Sequence, residues 1–172
     1  MPMYLYLGDI TRMETDAIVN AAGTDLRRCP GICDAIFAAA DTEKLERACR
    51  KLGRCRIGHA VATPGCGLPC RYIIHVAGPG WYGGEPRERF LLAGCYQNAL
   101  HKAYLCSCRR VAVPLIFSGD CHMPRAASLR VAGAAIADFC QRHPSMEVTL
   151  VLYRQSIYDM AKRILGWEDA PS

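Results

Sequence analysis

An α/β sandwich around a largely parallel sheet is the fold class this chain predicts, and three observations carry it. Short β-rich runs alternate with stretches of helical periodicity along all 172 residues. Several of the β runs are apolar throughout, as strands covered on both faces must be. Half of the residues are apolar, and a chain of this length can bury a core without disulfides.

The elements follow in chain order. Residues 4–7 read as a first strand that stops at Gly8-Asp9, and residues 17–19 as a second that runs into Asn20-Ala21-Ala22-Gly23. Ala35-Ile36-Phe37 opens an apolar helical run directly behind "RRCPGICD". Leu45, Ala48, Cys49 and Leu52 stand at i, i+3, i+4 and i+7, which predicts an amphipathic helix with those four facing the core. Strands follow at 60–62 and 72–76, then a helix over 86–105 that turns Leu92, Cys95, Tyr96, Ala99 and Ala103 inward. A strand over 111–117 leads to a helix opened by Pro124, with Leu129, Ala132, Ile136, Phe139 and Cys140 on one face. A strand over 148–153 precedes a last helix marked by Ile157, Met160, Ala161, Ile164 and Leu165, with Ser156-x-x-Asp159 as its capping box. The final "WEDAPS" is expected to be a loose end. One domain spanning 1–172, with a core from about 3 to 165, is the expected organisation.

Lysine and arginine exceed the acidic residues by 21 to 16, and the excess is spread over Arg27-Arg28, Arg50-Lys51, Arg109-Arg110 and single positions. A solvated surface accounts for most of this charge, and a mild positive field suits a phosphate-bearing ligand. Eleven cysteines is an odd number, spread from Cys29 to Cys140, so free thiols are expected. "MPMYLYLGDI" has only a short apolar run and no basic leader, and no later stretch approaches about 18 apolar residues, so a cytoplasmic protein with no membrane partner is expected.

In such folds ligands bind at the carboxyl ends of the strands, which singles out the loops 8–13, 20–32, 77–84 and 118–124. Asp9 reads either as a carboxylate acceptor or as a cap after the strand. Ser118 to His122 precede a helix, and Pro30-Gly31-Ile32 precede another, so free amides at both places could meet an anion. His75, in mid-strand, reads as a satisfied core residue. Trp81 and Tyr82 read as a cleft wall or as a surface cap.

Taken together, "GDIT" at 8–11, "DAIVNAAG" at 16–23, Gly58-x4-Thr63, "YIIHVAGPGW" at 72–81, Cys95-Tyr96 and "VAVPLIFSG" at 111–119 resemble the macrodomain family in order and spacing. The resemblance runs from Met3 to about Leu165 and is strongest to bacterial macrodomains grouped with ADP-ribosyl hydrolases and O-acetyl-ADP-ribose deacetylases. It implies a three-layer α/β/α sandwich with a mixed, largely parallel sheet of about six strands, and a cleft for ADP-ribose. It further implies that Asp9 accepts from the adenine amine and that Ile10 offers an amide and an apolar face. Asn20, Ala22, Gly23, Gly31 and Ile32 would meet the distal ribose, and Ser118, Gly119, Asp120, Cys121 and His122 the diphosphate.

Two segments depart from the family pattern. The hydrolase branch ends the segment at 20–23 in asparagine, where this chain has Gly23. Aligning Ala35-Ile36 with the family's Ala-Ile puts Cys29-Pro30-Gly31 on its three glycines and Cys33 on its water-activating aspartate, with Asp34 one residue late, about 100° around a helix. In the second loop Asp120, Cys121, His122 and Met123 replace small and aromatic residues, and a carboxylate at Asp120 repels a diphosphate unless it points away.

The leading expectation is therefore a binder of ADP-ribose or of ADP-ribosylated protein, acting as a reader or a weakened hydrolase. One alternative is an active ADP-ribosyl or O-acetyl-ADP-ribose hydrolase in which Cys33, Asp34, Asp120 or His122 supplies the lost groups. Cys33 would there be a nucleophile with His122 as base, or Cys29, Cys33, Cys121 and His122 would hold zinc. Buried packing is the competing role for any one cysteine. A second alternative is a module for another nucleotide or RNA. No cofactor is expected apart from that zinc reading, nucleic acid is not the expected partner, and the chain is expected to be a monomer.

Overall fold

Each β run of the sequence becomes a strand: β1 (Met3–Leu7), β2 (Ala17–Ala22), β3 (Ala60–Pro64), β4 (Tyr72–Ala77), β5 (Arg110–Pro114) and β6 (Glu147–Leu152), with a short β7 (Glu168–Asp169) after them. Between them lie α1 (Ile32–Ala39), α2 (Thr42–Leu52), α3 (Pro86–Leu105), α4 (Arg125–Arg142) and α5 (Gln155–Leu165), and a 3-10 turn (Ile10–Arg12) follows β1. The structure, a computed structural model, describes residues 2–78, 86–116 and 123–171. The strands form one sheet in the order β3-β4-β2-β5-β6-β1-β7. Every neighbouring pair is parallel except β3 with β4, so the sheet is mixed and largely parallel.

The period of two along each strand sorts the core into two halves. Ala17 and Val19 of β2, Ile74 and Val76 of β4, Val111 and Val113 of β5 and Leu150 of β6 face α3, α4 and α5, where they meet Leu92, Tyr96, Leu100, Leu129, Ile136 and Phe139. Ile18, Ile73, Ala112 and Val151 face the other way, onto Ile36 and Phe37 of α1 and Leu45 and Cys49 of α2. Helices on both faces of one sheet make the three-layer α/β/α sandwich. The inward faces expected of α3 and α4 are buried.

Several expectations change. The tail is not a loose end: β7 pairs in parallel with Tyr4 and Leu5, the Ala170 amide donates to Leu5, and the Tyr158 hydroxyl donates to Asp169, which gives seven strands. β2 runs on to Ala22 because Ala21 and Ala22 pair with Val76 and Ala77. β5 stops at Pro114, where its pairing with β6 ends. The expected capping box on α5 is absent: the helix starts at Gln155, its N-cap Arg154 makes no side-chain cap bond, and Asp159 accepts instead from the Gln155 amide at 2.8 Å. On α2, Leu45 and Cys49 are buried, whereas Leu52 is 42% exposed and leaves the core face. The ten described cysteines are free thiols. Among the described residues no helix is long and apolar enough to cross a membrane.

Candidate functional site

The parallel strands end along one edge. Leu7 lies opposite Leu152, Ala22 opposite Ala77 and Pro114 opposite Val151, so the loops that leave them open on the same side. Loops 8–13 and 20–32 are described in full. Trp81, Tyr82, Ser118, Gly119, Asp120, Cys121 and His122 lie outside the described residues.

At one end of this edge Asp9 caps the 3-10 turn. Its Oδ1 accepts from the Thr11 amide at 2.9 Å and from the Thr11 hydroxyl at 2.7 Å. The cap and the acceptor readings are therefore compatible, because Oδ2 takes no hydrogen bond from any described residue and remains available to an outside donor. Ile10 is buried against α1 and β2, so its side chain supports the loop from beneath. A Cβ on Gly8 would lie 2.3 Å from the half-exposed Tyr6 ring, which would have to turn aside to admit it. Across the β1–β6 register, Tyr153 leaves β6 with its side chain 81% exposed, beside the Gly8 amide that donates to Leu152. Sequence reading gave Tyr153 no role, although an aromatic directly after an apolar strand at the ligand edge is a usable signal.

At the other end the chain folds over itself between β2 and α1. Leu26 is buried with a positive φ of 58°, and Gly31 has φ 87° and ψ −139°, a conformation that favours glycine. Gly31 gives α1 no side-chain cap, so the first-turn amides of Ile32 and Cys33 face the loop without one. A depression of about 490 Å³ lined by Arg28, Cys29, Pro30, Gly31 and Asp34 opens there.

The two cysteines of this loop act as packing. Cys33 is 1% exposed, and its sulfur accepts from the Cys29 amide at 3.4 Å and lies 3.8 Å from the Arg27 carbonyl. Burial, together with the neighbouring Cys33, pushes the Cys29 thiol up to about 12, so it stays protonated. Asp34 points outward to Arg28, with Oδ1 2.6 Å from Nε, and both side chains are exposed. Sequence reading missed Asp25. This exposed carboxylate accepts from the Arg27 amide at 3.1 Å, and its Oδ1 lies 3.3 Å from where a Cβ on Gly23 would be. Asp25 thus leans into the space that the family gives to an asparagine side chain.

Beneath the loop, Asn20 is fully buried. Its amide donates to His75 Nδ1 at 3.0 Å and lies 3.7 Å from the Cys33 sulfur. Because that amide can only donate, the His75 proton sits on Nε2, which donates to the Thr63 hydroxyl at 2.9 Å. Burial lowers the His75 pKa to about 4, so the ring is neutral, a satisfied core histidine. Asn20 Oδ1 is buried with no partner among the described residues.

Tyr96, expected on the inward face of α3, has a further role that the sequence reading did not assign. It is fully buried, and its hydroxyl accepts from the Ile116 amide at 2.7 Å, two residues before the loop that was expected to hold the diphosphate. Burial raises its pKa, so the phenol stays protonated. The described residues contain no cluster of three or more His, Cys, Asp or Glu able to hold a metal ion.

With this geometry in place, comparison with known proteins is informative. The Macro domain family signature matches residues 19–132. The chain is 38% identical over 168 residues to the O-acetyl-ADP-ribose deacetylase of Escherichia fergusonii, covering 95% of this chain and 94% of that one. A macrodomain of Oceanobacillus iheyensis solved with ADP superposes with a TM-score of 0.88 at 31% identity, covering 94% of this chain and 88% of that one. A Trypanosoma brucei macrodomain solved in complex with ADP-ribose gives 0.86 at 26% identity, covering 95% of this chain and 69% of that one.

Proposed function

The chain belongs to the macrodomain family, and on that premise we propose that its cleft at the carboxyl ends of the strands binds ADP-ribose, free or attached to protein or a metabolite, as a reader or a weakened hydrolase. The observation that carries this reading is the split use of Asp9, with Oδ1 in the cap and Oδ2 open. A rigidly held carboxylate with one free oxygen suits an exocyclic amine, and a hydrogen bond to a charged acceptor is worth about 1.5–3 kcal/mol. Tyr153 stands beside it as an exposed ring on which a purine can stack. At the far end the α1 amides and the Gly31 turn offer donors to an anion or a ribose hydroxyl. Tyr96 holds the Ile116 amide just beyond β5.

The same geometry argues against ordinary hydrolase chemistry. An attacking water needs a carboxylate base, yet Cys33 at the corresponding position is buried in the loop's own hydrogen bonds and Asp34 is paired with Arg28. Asp25 is the remaining described carboxylate of this loop, and its placement over Gly23 favours an active enzyme as the second reading, as does the name of the Escherichia relative. The zinc reading is the less favoured one, because the Cys33 sulfur accepts from the Cys29 amide and lies against the Arg27 carbonyl, contacts that a metal would have to draw it out of. In this reading the protein acts in the cytoplasm as a monomer without a resident cofactor.

Turnover on mono-ADP-ribosylated protein and on O-acetyl-ADP-ribose, with and without chelator, separates the two readings. The reader predicts release at background rates in both conditions. Release well above background that Asp25→Asn abolishes would establish the enzyme instead, and chelator-sensitive release would restore the metal reading.

A further inference from the structure

The surplus positive charge of this protein is concentrated in one segment. Residues 42–56, α2 and the turn after it, carry six cations, Lys44, Arg47, Arg50, Lys51, Arg54 and Arg56, against two carboxylates, Glu43 and Glu46. The rest of the chain carries fifteen cations and fourteen acidic residues, so four of the five net positive charges arise from this segment.

The six side chains are exposed, and none forms an ion pair with a described residue, although Glu43 and Glu46 stand four residues before Arg47 and Arg50, in the favoured orientation. Elsewhere Arg28, Arg71, Arg110, Arg142 and Lys162 each lie within 4.0 Å of a carboxylate. Arg50 and Lys51 complement the helix dipole at the carboxyl end of α2, which accounts for two of the six and leaves the other four.

Alongside these cations runs a groove of about 850 Å³ between α2 and the edge strand β3, lined by Arg47, Arg50, Lys51, Leu52, Ala62 and Pro64 among others. One wall is cationic and the other is apolar. Leu52, which the helical period would bury, is 42% exposed at its rim, and Ile57 beyond it is 51% exposed.

We propose that this groove is a docking surface for an acidic polypeptide segment with an apolar anchor. Arg47 and Lys51 are one turn apart, about 6 Å along the helix, close to the roughly 6.6 Å between alternate side chains of an extended chain. A Glu-x-Glu segment can therefore meet both, while its one intervening side chain points the other way, toward the apolar wall at Pro64, and an apolar residue beyond the second Glu reaches Leu52. Nucleic acid fits less well: residues 44–64 contain no Phe, Trp or Tyr, and the exposed His59 is the one aromatic ring there, so successive single-stranded bases have no stacking platform. The inference does not depend on what the strand-edge cleft binds.

The test uses fluorescence anisotropy at low salt with three labelled 12-residue probes: a Glu/Leu peptide, a Glu/Ser peptide of equal charge, and an oligothymidylate. The Glu/Leu peptide is expected to bind most tightly and to weaken as salt rises through the screening range. Arg47→Gln/Lys51→Gln is expected to weaken it by about tenfold, while Arg130→Gln/Arg163→Gln, which removes the same charge elsewhere on the surface, changes it less than about twofold. Leu52→Ser is expected to weaken the Glu/Leu peptide selectively. All the substituted side chains are exposed, so the fold tolerates them. No binding of either peptide, equal weakening by the two charge-removing pairs, or an oligothymidylate that binds as tightly as the Glu/Leu peptide would each overturn the proposal. An ADP-ribose titration of the same variants is expected to be unchanged, so a failure here is separable from a failure of the cleft reading.

Discussion

Asp9 shows how one side chain can meet two demands that sequence reading left as alternatives. Its Oδ1 closes the turn and its Oδ2 takes no hydrogen bond from a described residue, so on the proposed reading Asp9→Ala removes both a cap and a ligand contact. Calorimetry is expected to show ADP-ribose binding weakened by about 1.5–3 kcal/mol, and denaturant unfolding a stability loss of about 0.5–2 kcal/mol. His75 gives a prediction of the opposite kind. Its pKa is lowered to about 4 in the fold against 6.5 for the free side chain, so between those values the unfolded chain takes up a proton that the native state refuses. Stability is therefore expected to fall as the pH drops from about 6.5 to about 4, by roughly 3 kcal/mol at 1.36 kcal/mol per unit, and to be flat with respect to this group above that window. Urea midpoints measured across the window test this, and His75→Gln is expected to remove the slope. The chemistry of Cys33 was misleading in the sequence because residue type alone does not show direction: a cysteine on the aspartate position looked like a nucleophile or a ligand, and its sulfur turned out to bond the loop's own backbone.

Elements hold the site through single anchors whose importance is out of proportion to their size. Tyr96 on α3 reaches across the core to the Ile116 amide, and Tyr96→Phe leaves that buried N–H without its acceptor at a cost of about 1–3 kcal/mol. Thermal or urea unfolding measures the loss, and weaker ADP-ribose binding is expected to accompany it because the following loop loses its fixed start. Asp16 ties three segments together just before β2. Its Oδ2 accepts from the Arg109 and Arg110 amides at 2.8 and 3.0 Å, and its Oδ1 lies 3.6 Å from Arg71. Partial burial raises the carboxyl pKa, but those two amides and the charges of Arg71 and Arg110 outweigh it, so the net shift is below the ordinary 3.8. The stability it supplies is present above about pH 4 and is lost as the pH falls through its lowered value, below the His75 window. Asp16→Asn is expected to flatten that lower limb of the pH–stability curve. Helix ends were the least legible feature at this scale. Ser156 and Asp159 have capping-box spacing, yet α5 begins one residue earlier and Asp159 bonds Gln155, because spacing specifies neither the helix start nor the competing side chain.

For the whole molecule, the sequence was most informative where periodicity is strong. Strand positions, the inward faces of α3 and α4 and the shared ligand edge follow from apolar spacing alone, since burial on both sides of a sheet leaves few other arrangements. β7 was not legible: two charged residues, Glu168 and Asp169, pair through their backbones, which no hydrophobic pattern reports. Tyr153 was missed because its place beside Gly8 comes from the sheet register, and Asp25 because Gly23, two residues before it, gives no sign that a side chain lies over it. The concentration of the surplus charge in residues 42–56 was present in the sequence but visible only when cations were counted against nearby acids. Joined together, these features describe a macrodomain sandwich in which the proposed adenine end keeps a carboxylate with one oxygen free and the proposed ribose end is packed with thiols. The most direct test of that account is calorimetric titration of the protein and of Asp9→Ala with ADP-ribose, with AMP and NAD alongside. The account predicts ADP-ribose binding well below millimolar concentration, preferred over AMP and NAD and weakened by Asp9→Ala. No ADP-ribose binding at millimolar concentration, or binding that Asp9→Ala leaves unchanged, would contradict it.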